Sequence, residues 1–69
     1  MIMEIKTYKS IKVVVDDGVD CFEYRVDEDD EFGSIYLTYS DALEKPINFS
    51  LGDKESAKAV AKAILKICE

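Results

Sequence analysis

The chain has 69 residues, nine of them Lys or Arg and fifteen Asp or Glu, with no His, no Trp, two Cys and one Pro. Without His there is no imidazole general base, no Ser-His or Cys-His nucleophile pair and no ordinary zinc or copper site. A chain of this size is expected to fold as a single domain, 1–69, burying only about 60% of the surface its unfolded form exposes, so self-association is a natural supplement to its stability. Its 48% hydrophobic content is well above that of disordered chains.

Apolar runs such as Val13-Val14-Val15 stop at three residues, too short for a membrane-spanning helix or the apolar region of a signal peptide. Cys21 and Cys68 form no CxxC motif, and two reduced thiols fit a reducing compartment. A cytoplasmic location is therefore expected.

The charge is localised. Residues 16 to 31 carry nine acids against Arg25 alone, residues 1 to 15 carry Glu4 against Lys6, Lys9 and Lys12, and from residue 32 onward five acids balance five lysines. A phosphate backbone would be repelled by the middle segment.

Read in chain order, residues 4–16 alternate as a first strand, with Ile5, Ile11, Val13 and Val15 in phase, and 19–27 alternate as a second, with Phe22, Tyr24 and Val26 in phase. Asp17-Gly18 between them is a two-residue hairpin signal. A turn there pairs Val13 with Phe22, Ile11 with Tyr24, Lys12 with Glu23 and Val14 with Cys21, and a one-residue slip would put the aromatics on the wrong face. Asp27 to Gly33 reads as an acidic loop, 34–39 as a third strand, 40–46 as a connection and 47–51 as a short fourth strand. After Gly52 the period changes. Asp53 is a good N-cap, and 53–68 reads as a helix with an apolar stripe of Ala57, Val60, Ala61, Ile64, Leu65 and Cys68 opposite Lys54, Lys58, Lys62 and Lys66.

The expected fold is α+β: a four-stranded antiparallel meander (ββββα) with one C-terminal amphipathic helix packed on the sheet face of Ile11, Val13, Phe22, Tyr24, Ile35, Leu37, Phe49 and Leu51.

The run Asp27-Glu28-Asp29-Asp30-Glu31 is the most conspicuous cluster. Hard cations want several carboxylate oxygens, but EF-hand spacing fails: counted from Asp27, Gly falls at position seven and position twelve is Thr38. The run reads as a solvated loop or as a charged contact for a basic partner. The helix-free sheet face is expected to carry Tyr8, Lys12, Val14, Cys21, Glu23, Arg25, Tyr36 and Thr38, more apolar than a solvated face needs and suited to an interface. Cys21 lacks a His partner and its expected neighbours are acidic, which disfavours the thiolate. No metal, cofactor or enzymatic activity is expected.

Three functions follow in order. The first is a small acidic, non-enzymatic protein–protein interaction module, homodimeric through the helix-free face. The second is an acidic nucleic-acid mimic of the phage or mobile-element kind, inhibiting a DNA- or RNA-binding protein through Asp27 to Glu31. The third rests on a resemblance. Four strands followed by a helix, with Ile47-Asn48-Phe49-Ser50-Leu51 running into Asp53, is similar in layout to PC4-like single-stranded DNA-binding domains. The likeness is one of topology, and it implies a small dimer. The basic and aromatic sheet residues such domains use are not recognisable here, and the acidic balance opposes transfer of the function.

Overall fold

The computed structural model describes residues 1–41 and 45–69. The chain folds as an antiparallel sheet with a C-terminal helix, but the sheet has five strands and not four. The strands are β1 (Ile2–Thr7), β2 (Ser10–Asp16), β3 (Cys21–Glu28), β4 (Ile35–Asp41) and β5 (Ile47–Gly52), followed by α1 (Lys54–Cys68). They pair in chain order, β1-β2-β3-β4-β5, as short connections favour.

The extra strand arises because the segment expected as one strand over 4–16 folds back on itself. Thr7 pairs with Ser10 across a two-residue turn at Tyr8-Lys9, and Lys9 takes φ 54° there. No Gly, Pro, Asn or Asp marks that turn. Lys9 is instead held from outside: its ammonium lies 2.9 Å from Asp30 and 3.5 Å from Glu28, and its carbonyl accepts the Glu28 N–H at 3.0 Å.

The β2–β3 register also differs from expectation. Val15 opposes Phe22, Val13 opposes Tyr24 and Lys12 opposes Arg25, a slip of two residues relative to a tight Asp17-Gly18 turn. The loop is four residues long because Asp17 organises it: one carboxylate oxygen accepts from the N–H groups of both Val19 and Asp20, at 3.0 and 2.7 Å. Gly18, at φ 88°, supplies the left-handed residue the loop requires. A two-residue slip leaves every side chain on its expected face.

β3 runs through Asp27 and Glu28, and the acidic loop then closes by Gly33 N–H donating to the Asp29 carbonyl at 2.9 Å. Of the connection expected over 40–46, Ser40 and Asp41 complete β4 and residues 42–44 lie outside the described residues. At the sheet-to-helix junction Gly52 has φ 78°, and the Asp53 carboxylate caps the helix by accepting the Ser56 N–H at 2.8 Å.

The helix does not cover the sheet as expected. It packs chiefly against β5, and no side chain among the described residues is buried. Strands 4.8 Å apart make a five-stranded sheet about 19 Å wide between its outer axes, whereas one helix is about 10 Å across. A single helix therefore shields about two strands, and β1 and β2 lie beyond it.

Candidate functional site

The register assigns two faces. The helix side carries Ile2, Glu4 and Lys6 of β1, Ile11, Val13 and Val15 of β2, Phe22, Tyr24 and Val26 of β3, Ile35, Leu37 and Tyr39 of β4, and Phe49 and Leu51 of β5, apolar but for Glu4 and Lys6 at its β1 edge. Alternation places them together, and their in-phase spacing is legible in the sequence. Phe22, Tyr24 and Tyr39 form a three-ring cluster with centroids 5.3 to 6.2 Å apart, Phe22 edge-on to Tyr24.

Beside this cluster α1 and the sheet enclose an open cleft of about 450 Å³. Val26, Ile35, Leu37 and Leu51 form its floor, and Ala57, Val60, Ala61 and Ile64 its helical wall. Lys54 and Lys58 also line it, with exposed ammoniums. The cleft is unfilled by the chain's own side chains: of its lining residues Val60 is 41% exposed and Ile64 57%, and Leu65 and Phe49 outside it are also exposed. Successive helical residues are 100° apart, so the arc running from Ala63 and Ile67 round to Leu65 spans about 200°. Ile67 broadens the stripe expected from the sequence, and it is among the most exposed apolar residues of the chain.

An ionic tie holds the start of α1 to the sheet. The Lys54 ammonium lies 3.0 Å from Glu28 on β3, and Glu28 also faces Lys9. The Lys54 contact holds the Glu28 carboxyl below its ordinary range, and the hydrogen bond to Asp30 pushes Lys9 up to about 12. The Lys54 side chain is well exposed and that of Glu28 largely shielded, so salt screens the tie in part.

The helix-free face is more polar. Lys12, Val14, Cys21, Glu23, Arg25, Tyr36 and Thr38 share it across β2, β3 and β4. Tyr8 does not join them: it sits in the β1–β2 turn, 81% exposed, with the Lys9 ammonium 5.5 Å from its ring centre. Met3 and Ile5 of β1 extend the face instead, two residues whose role stayed hidden while β1 and β2 read as one strand. The polar groups satisfy one another. Arg25 donates from Nε to Asp27 at 2.8 Å, which relieves the like charge of Lys12 opposite it, and Asn48 donates to the Thr38 hydroxyl at 2.9 Å.

The five acids of 27–31 are not gathered at one point. Asp27 lies on the helix-free face, where burial opposes ionisation, but hydrogen bonds from Ser10 and Arg25 outweigh it and hold the carboxyl low. Glu28 and Asp30 are paired with lysines of this chain, and the Asp29 carboxylate accepts the Glu31 N–H at 2.8 Å. Among the described residues no three His, Cys, Asp or Glu side chains are arranged to hold a metal ion, and no helix is long and apolar enough to cross a membrane.

Comparison with protein-family models, curated proteins and solved structures finds no match.

Proposed function

We propose that this chain is a non-enzymatic protein–protein interaction module whose contact surface is the helix-side cleft and the aromatic cluster beside it. One observation carries the reading: a regular amphipathic helix and an apolar sheet face stand next to each other without burying a single side chain among the described residues. Soluble proteins seldom expose contiguous apolar surface on that scale except where a partner covers it. The cleft wall is aliphatic, and its titratable groups among the described residues are Lys54 and Lys58. It offers apolar contact rather than acid–base chemistry.

The helix-free face, with Val14, Cys21 and Tyr36, is the secondary candidate surface, its Arg25 and Asn48 already engaged within the sheet. The acidic-mimic reading draws less support, because Asp27, Glu28 and Asp30 each face a cation of the same chain.

Sedimentation equilibrium combined with binding of the apolar dye 8-anilinonaphthalene-1-sulfonate (ANS) tests the reading. The expected result is either a self-associated particle or a monomer that enhances ANS fluorescence. A folded monomer silent to ANS would contradict it.

A further inference from the structure

We infer that the helix-side face is an isologous interface between two copies of this chain, with α1 of each copy inside it. The inference rests on the interaction-module reading and names the partner. The accessible surface of the chain is 5641 Å², whereas a folded monomer of 7.8 kDa is expected to expose about 4,400 Å². The surplus is about 1,200 Å² per chain, or about 2,400 Å² for two, within the range of obligate homodimer interfaces. The radius of gyration agrees: 12.9 Å against about 11 Å for a compact chain of this length.

Part of that surplus lies on the helix side, at Phe49, Val60, Ile64 and Leu65. Two helices side by side are about 20 Å across, which matches the roughly 19 Å width of a five-stranded sheet that one helix leaves half open. The apolar arc of α1 is wide enough to meet two surfaces. Ala57, Ala61 and Ile64 face its own sheet across the cleft, while Leu65 on one flank of the arc and Ile67 on the other stay exposed. Most of the excess negative charge lies in the 16–20 and 27–31 segments at the ends of the strands, and Glu28, which reaches the helix side, is paired with Lys54 and Lys9, so two copies can approach through this face with their acidic loops at its margin. Closed two-fold pairing of one surface with itself is the commonest arrangement among soluble homo-oligomers.

The test is sedimentation equilibrium of the full chain, followed by an isotope-filtered NOE experiment on a mixture of labelled and unlabelled protein. The expected particle has twice the 7.8 kDa chain mass, persists in high salt, and shows intermolecular contacts from the Val60 or Ile64 methyls. Ile64→Lys is expected to weaken association by about tenfold or more, the loss of one apolar anchor, with the far-UV spectrum of the sheet retained. Val14→Thr on the helix-free face is expected to leave association unchanged. A dimer whose intermolecular contacts are confined to Val14 and Tyr36 would overturn the inference, as would an Ile64→Lys chain that associates like the parent. A monomer that binds ANS would overturn it while leaving the interaction-module reading intact. A folded monomer silent to ANS would overturn both.

Discussion

The central strands and the helix of this molecule are held in place by different means. β3 is hydrogen-bonded along its length to β2 on one side and β4 on the other, so its order comes from the backbone ladder of its own chain. α1 has an internal hydrogen-bond ladder too, but among the described residues it is bound to the rest chiefly by Asp53, the Lys54–Glu28 pair and a strip of contact with β5. A 15-residue helix is marginal in isolation and normally draws its stability from packing its apolar face. The contrast teaches that backbone pairing can order a sheet without completing a core, whereas an amphipathic helix is complete only when something lies against its stripe.

Perturbations of the two regions sharpen that contrast. The largest effect is expected from Leu37→Ala in β4, a half-buried position, which should cost roughly 1–2 kcal/mol in urea unfolding, below the range for a fully buried leucine. The matching truncation on the helix, Leu65→Ala, should be nearly neutral in dilute solution and destabilising only where the chain is concentrated enough to associate. Equal costs at all concentrations would break the comparison. Gly52→Ala comes next. It places a side chain at φ 78° with its Cβ 3.3 Å from that of Ser56, and thermal unfolding should report a loss of about 1 kcal/mol. Asp53→Ala removes the N-cap of α1 and should lower the helical far-UV signal more than the strand signal.

The smallest effect concerns the ionic tie. The folded Glu28 pKa lies below its ordinary 4.5, so its contribution is fully present above pH 4.5 and is lost as pH falls through the lower folded value. Lys9 is raised from 10.5 to about 12, so its contribution holds below pH 10.5 and is lost as pH rises through about 12. The start of the helix is therefore expected to loosen as pH falls, and the Tyr8-Lys9 turn, which Lys9 ties to Glu28 and Asp30, as pH rises. Glu28→Gln should flatten the acid limb of a helicity-against-pH curve, and an acid limb unchanged in that variant would assign the loosening to other carboxylates.

Much of the fold is legible in the residues. Period-two alternation assigns Val13, Phe22, Tyr24 and Leu37 to one face, and that assignment survives a wrong turn length because the slip is even. The Gly52-Asp53 junction announces the helix because a left-handed residue and an N-cap are local needs. The Tyr8-Lys9 turn was illegible because its positive φ falls on lysine, which is anchored by Glu28 and Asp30 far along the chain. The four-residue β2–β3 loop was hidden because Asp17-Gly18 serves equally in a tighter turn. For the candidate site, the stripe on α1 states that something apolar must cover it, but a stripe does not say whether the cover comes from its own sheet.

The most direct measurement is amide hydrogen exchange resolved by residue across a dilution series. If α1 depends on a second copy, its protection rises with protein concentration while that of β3 starts higher and changes less. Protection of α1 equal to that of β3 at the greatest dilution, and independent of concentration, would show that the helix is held by its own sheet and contradict the account.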